Sequence, residues 1–345
     1  MNFHIDIATP AVLSGWLTPD NPSTCPRFIV RIPDRDPIEF EANVFRPDLL
    51  DLGWHATGHV GFLVDDKLIP EIASLPDVSL SEFHTGITIY RRSTSAEQID
   101  SKLMFFDCSL MPQWRLHRII GEHFGVQYPS IDRQPLETNL ALLWNQHVSS
   151  VFASGMPNYL RYMAPLSERE YQCVALLRAP LEELAERLLF LTALSKMPRE
   201  SSIRQMFEPL EEVMMLVSRT DLEKKKDIAT LFRGLEGRNR DLMRSPMTRT
   251  FGAEIAEPLD RKKVAIALDH LARMRLVGRR SDYQTFSAVF DGLMQRRILS
   301  GTSHSTVPGT EELAELLRGI GPATDIIEED LALYEFFEDS LAEMM

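Results

Sequence analysis

The chain has 345 residues, 44% hydrophobic and 25% charged, ordinary values for a globular protein long enough to form two domains. Its net charge of −13 argues against non-specific binding to nucleic acid or anionic lipid. Three cysteines, Cys25, Cys108 and Cys173, form no C-x-x-C pair, which excludes a disulfide framework and a zinc signature and fits a reducing compartment.

The opening Met1-Asn-Phe-His-Ile-Asp-Ile7 has no basic segment ahead of an apolar core, and no apolar run reaches membrane-spanning length. The expectation is a cytoplasmic protein without a signal peptide or a transmembrane segment. Residues 1–92 read as β: short runs such as Phe28–Ile32, Ile38–Val44 and Thr85–Tyr90 alternate with breakers such as Thr18-Pro-Asp-Asn-Pro22. They predict a small antiparallel β-sandwich. The polar stretch from Arg91 to Glu97 reads as a linker, so a chain lacking residues 1–92 is expected to fold.

From Lys102 the period changes. Leu103–Phe106, Val151–Ala153 and Cys173–Leu177 are short apolar runs separated by helical segments, Trp114–Phe124 and Asn139–His147 among them. That alternation predicts adjacent strands of one parallel sheet. After Pro180 the pattern is mostly helical, over 181–194, 210–217, 259–274 and 281–298, with further helices starting at Thr310 and Asp325. The expected fold class is α/β: an N-terminal sandwich over 1–92, then a parallel-sheet domain over 102–345 with a helical C-terminal half.

Three places in this second part carry a resemblance. They are the strand–Arg178-Ala-Pro180–helix unit, the run Val277-Gly278-Arg-Arg-Ser-Asp-Tyr283-Gln-Thr-Phe286, and Asp330-Leu-Ala-Leu-Tyr334 after the polar loop Ser300–Thr306. In order and spacing they resemble the carbohydrate sulfotransferase superfamily, a P-loop-type α/β fold that uses the sulfate donor PAPS. The resemblance implies that Arg178 holds the donor's 3′-phosphate bidentately. Upstream, Gly15-Trp16, Arg46-Pro-Asp-Leu49 and Gly58-His-Val-Gly61-Phe62 resemble a small β-module of bacterial glycan-synthesis proteins. There Trp16 and Phe62 are expected to fill one sandwich core. His55 and His59 form an H-x3-H pair, but Gly58 and the β context do not make a helical zinc face.

The departures from the family bear on activity. Its Pro-Lys-x-Gly-Thr-type loop for the 5′-phosphosulfate corresponds here to Phe106-Asp-Cys-Ser109-Leu-Met-Pro112-Gln-Trp-Arg115, with no glycine and no lysine. Ser109 and Arg115 are the remaining candidates for that phosphate, and Arg115 is equally an exposed helix residue. Eight residues after Arg178 the family has a serine that shares the 3′-phosphate; this chain has Glu186, which would repel it. The plain alternative is that Arg178 pairs with Glu182 or Glu186 as a structural clamp. His117, Glu122 and His123 are the candidate catalytic bases, although surface histidines are the ordinary expectation on such a helix.

Two readings result. One is a non-catalytic sulfotransferase-like protein with a degenerate PAPS site, serving recognition or assembly in bacterial surface-polysaccharide biosynthesis, with a glycan or glycan-synthesis enzymes as partners. The other is an active PAPS-dependent carbohydrate sulfotransferase acting on a glycan hydroxyl. Val264–Arg280 has weak similarity to a winged-helix segment, but the acidic chain counts against nucleic acid. No metal is expected.

Overall fold

The structure is a computed structural model that describes residues 1–344. The alternating runs upstream of Arg92 form eight strands: β1 (Asn2–Ala8), β2 (Leu13–Thr18), β3 (Arg27–Arg31), β4 (Ile38–Glu41), β5 (Val44–Phe45), β6 (His59–Val64), β7 (Val78–Glu82) and β8 (Thr88–Arg92). They make two antiparallel sheets, ordered β1-β2-β6-β5 and β4-β3-β7-β8. Phe28 of β3 meets Phe62 of β6 with ring centroids 5.0 Å apart, so the two sheets face each other across an aromatic core as the sandwich pattern predicts.

Trp16 and Phe62 are both buried, but they do not share that core. In the β2–β6 register Gly15 opposes Phe62 and Trp16 opposes Gly61. Neighbouring residues of a strand point to opposite faces, so Trp16 lies on the other side of the sheet from Phe62. It packs with Leu49 and Val60. Gly15 is required where it stands: a Cβ there would come within 2.2 Å of the His4 carbonyl oxygen and 2.8 Å of the Phe62 ring.

Five further strands, β9 (Lys102–Asp107), β10 (Val126–Tyr128), β11 (Val151–Gly155), β12 (Gln172–Leu177) and β13 (Leu276–Arg279), form a parallel sheet in the order β10-β11-β9-β12-β13. The three strands expected from the sequence fall next to one another within it. The C-terminal half is helical, and the fold class is therefore the α/β arrangement with an N-terminal β part. Strand β10 was not expected; with three residues it leaves too short a trace of alternation.

By contact the chain forms two compact units. The first comprises residues 1–104, 118–154 and 164–172; the second comprises 105–117, 155–163 and 173–345. In the first, the helix Leu136–Trp144 is fastened to the edge strand β1. Thr138 Oγ1 donates to the Met1 carbonyl at 2.9 Å, and the His147 ring donates from Nε2 to the Ile5 carbonyl at 3.1 Å.

In the second unit the helix Pro180–Ser195 is central. Pro180 supplies its first residue, where no amide hydrogen is needed, and Glu182 and Glu183 suit the positive end of its dipole. Leu184, Leu188 and Leu191 line one face and join a core with Val213, Met214, Phe232 and Leu317. Its remaining buried face is polar, carrying Glu183, Glu186 and Arg187. Among the described residues no helix is long and apolar enough to cross a membrane.

Candidate functional site: a self-satisfied anion pocket

In a parallel α/β sheet, chemistry gathers at the carboxyl ends of the strands. Three strands of the parallel sheet lead there into charged residues, all in the second unit: Asp107 closes β9, Arg178 follows β12, and Arg280 follows β13. The helix after β12 brings Glu186 two turns in, and the loop after the helix Tyr283–Met294 brings His304, Ser305 and Val307.

Glu186 is the hub. Its Oε2 accepts from Arg178 Nη1, from Arg280 Nη1 at 3.0 Å and from Ser109 Oγ at 3.3 Å. Its Oε1 accepts from Arg280 Nη2 at 3.2 Å and from the Val307 amide at 2.9 Å. Arg280 therefore grips the carboxylate with both ends of its fork. The Glu186 side chain is 1% exposed and that of Arg178 2% exposed, so these charges are compensated by one another and not by water.

Burial alone pushes the Glu186 carboxyl up; hydrogen bonds and charge from Arg280, the charge of Arg178 and the Val307 amide outweigh it and hold the group below its ordinary 4.5. Beside it, burial raises Glu183, opposed by Arg187 and Arg178. Glu183 accepts from the Leu110 amide at 3.0 Å and from Arg187 Nη2 at 3.3 Å. Its carboxylate stands 3.9 Å from Arg178, and Glu182 stands 3.6 Å from Arg178 Nε.

Next to this hub, Asp107 is clasped between two imidazoles. His117 Nε2 lies 3.2 Å from Oδ2 and His304 Nε2 lies 3.2 Å from Oδ1. Burial alone would raise the Asp107 carboxyl; the charge and hydrogen bond of His304, with those of His117, overcome it and hold the group well below the usual carboxylate range. Gln113 ties down the covering loop, accepting from the Ser305 amide at 2.8 Å and donating to the Ser305 carbonyl at 3.1 Å.

Of the residues singled out from the sequence, Ser109, Arg178 and Glu186 meet at one point. His117 is not a surface histidine: it is 6% exposed and bonded to Asp107. Arg115 points outward on its helix. Glu122 and His123 belong to the first unit; Glu122 is exposed, 4.0 Å from Arg118, and His123 is half-buried. His55 is buried on the Thr24 carbonyl while His59 is exposed beside Phe45.

Sequence reasoning missed Arg280, Val307, Asp107 and His304 as partners in this cluster. A signal existed for Arg280, which stands at the end of β13 as Arg178 stands at the end of β12. The contribution of the Val307 amide carries no side-chain signature.

Two guanidinium groups, one amide N–H and one hydroxyl converging on two oxygens form a donor set suited to a phosphate or sulfate. Here the two oxygens belong to the chain's own carboxylate. A second anion placed beside it would meet a resident charge of its own sign. No protein-family model matches the chain, and no curated protein matches it significantly.

Proposed function

We propose that this chain is a non-catalytic sulfotransferase-like protein whose donor pocket is filled by Glu186, and that it serves recognition or assembly in bacterial surface-polysaccharide biosynthesis. The observation that carries the reading is the saturation of the Glu186 carboxylate by Arg178, Arg280, Ser109 and Val307. Arg178 keeps the place after a buried parallel strand that the family uses for the 3′-phosphate, and the position of the family's serine is taken by the glutamate. A phosphate within about 4 Å of that carboxylate would meet a repulsion of about 4 kcal/mol per charge pair at an effective dielectric near 20. A cytoplasmic setting is supported by three thiols that are free of disulfides.

Calorimetry with PAP, the desulfated product of the donor, tests the proposal. Wild-type protein is expected to show no saturable binding at millimolar PAP, whereas Glu186→Ser binds it, more weakly as salt is raised. Tight binding of PAP by the wild type would overturn the reading in favour of an active PAPS-dependent carbohydrate sulfotransferase. So would transfer of sulfate from PAPS to a glycan hydroxyl.

A further inference from the structure

The first unit contains a cleft of about 610 Å³ that has no part in the Glu186 cluster. Three of the protein's four tryptophans, Trp16, Trp54 and Trp144, line it. Its size falls within the ordinary range for small-ligand sites. The outer face of the sandwich supplies the floor. His4 pairs with Trp16 across β1 and β2, so both point the same way, and Trp54 meets Trp16 edge-on with centroids 5.6 Å apart. Trp16 is 9% exposed and Trp54 is 45% exposed, so one ring forms the base and the other an open rim.

The opposite wall is one face of the helix Leu136–Trp144. Glu137, Leu140, Ala141 and Trp144 all line the cleft, and their spacing of three and four residues places them in a single stripe. Glu137 and Trp144 stand seven residues apart, which at the helical rise is about 10 Å. At the Trp144 end, the Arg169 guanidinium lies over the indole, 5.3 Å from its centroid. Arg169 Nε is buried without a hydrogen-bond partner, and no carboxylate of the described residues pairs with the side chain. At the other end Glu137 is exposed. The cleft therefore has an aromatic floor, a cation in need of an anion at one end and a hydrogen-bond acceptor at the other.

We propose that this cleft binds an acidic oligosaccharide of two or three sugar rings. The electron-rich faces of indoles attract the polarised C–H face of a pyranose ring, and the span between Glu137 and Arg169 accommodates about two rings. Arg169 receives the carboxylate or sulfate of the sugar, and Glu137 accepts from hydroxyls. A nucleotide base fits less well. It asks for parallel rings, whereas Trp16 and Trp54 are inclined at 68°. The inference does not use the donor pocket and stands or falls separately from it.

The test titrates the full-length protein with uronic-acid, sulfated and neutral trisaccharides, read by tryptophan fluorescence and calorimetry. Acidic trisaccharides are expected to bind saturably and to shift the tryptophan emission, with neutral ones about tenfold weaker. Trp54→Ala, at an exposed site that leaves folding intact by circular dichroism, weakens binding about tenfold. Arg169→Gln removes the preference for acidic over neutral sugars. The proposal is overturned if no trisaccharide saturates the protein, if acidic and neutral sugars bind alike, or if neither Trp54→Ala nor Arg169→Gln alters the affinity.

Discussion

Glu186 is one carboxylate that holds two buried guanidinium groups, a loop amide and a serine hydroxyl in place. Removing a partner from a buried pair costs about 3–5 kcal/mol, because the charge left behind is neither solvated nor matched. Glu186→Ser should therefore melt well below the wild type, and Glu186→Gln, which keeps one acceptor oxygen, should fall between them. Inorganic sulfate at a hundredfold excess over its Kd should return about 2.7 kcal/mol to Glu186→Ser and nothing to the wild type. A thermal melt with and without sulfate reads this directly. If sulfate stabilises both proteins equally, the arginines do not form the anion pocket described.

The same carboxylates shape the response to acid. Asp107 and Glu186 are both held below their ordinary values of 3.8 and 4.5. Between the folded and the unfolded value of such a group the unfolded chain binds more protons. The stability it contributes is therefore present above the unfolded value and is lost as pH falls through the folded one. Urea midpoints should hold from pH 7 to about pH 5 and decline below about pH 4.5. Asp107→Asn, which no longer titrates, should show a shallower decline. An equally steep decline in that variant would remove Asp107 from the account.

At the scale of elements, β13 and the helix Tyr283–Met294 meet through a missing side chain. A Cβ on Gly278 would lie 2.3 Å from Phe286 Cδ2 and 3.0 Å from its Cγ. Phe286 is buried against Phe105 and Phe290, with centroids 6.2 and 6.0 Å away, so it has little room to retreat. Gly278→Ala is expected to cost about 1–3 kcal/mol by overpacking. Combined with Phe286→Leu, which vacates ring volume, its cost should fall, and a double-mutant cycle in urea would register the coupling. Additive effects would mean that the strand and helix already part at this point. The glycine also places Arg280, two residues on, at the end of β13 where it reaches Glu186.

At the scale of the molecule, the first unit is assembled from distant stretches. Arg91 Nη1 donates to the Gly125 carbonyl at 2.8 Å, Tyr128 donates to the Thr88 carbonyl at 2.8 Å, and Asn145 donates to the Ile89 carbonyl at 2.7 Å. Deleting residues 1–92 would leave these buried groups unmatched, each at about 1–3 kcal/mol, and would uncover the apolar side of the helix Leu136–Trp144. Where the polar stretch after Arg91 suggested a separable module, these bonds predict that the truncated chain aggregates. Size-exclusion chromatography of the truncated protein decides the matter; a monodisperse, folded product would show that residues 118–154 need no partner from the N-terminus.

Much of the architecture could be read without coordinates. Alternation of period two announced the sandwich, apolar runs between helical segments announced the parallel strands β9, β11 and β12, and Pro180 with its acidic first turn announced the long helix. These are local signals, carried by neighbours in the chain. The possible pairing of Arg178 with Glu186 was legible for the same reason, since eight residues along a helix is about two turns. What stayed hidden depends on residues far apart in sequence. Arg280 and Val307 reach Glu186 from 94 and 121 residues away. His304 reaches Asp107 across 197. Trp16 and Phe62 occupy opposite faces because of strand register, which neither residue type reveals. The three tryptophans line one cleft only because the helix Leu136–Trp144 lies along β1. Local pattern reports the periodicity of the backbone, whereas a site is made where non-local packing brings charges and rings within a few ångströms, and no spacing in the chain encodes that distance.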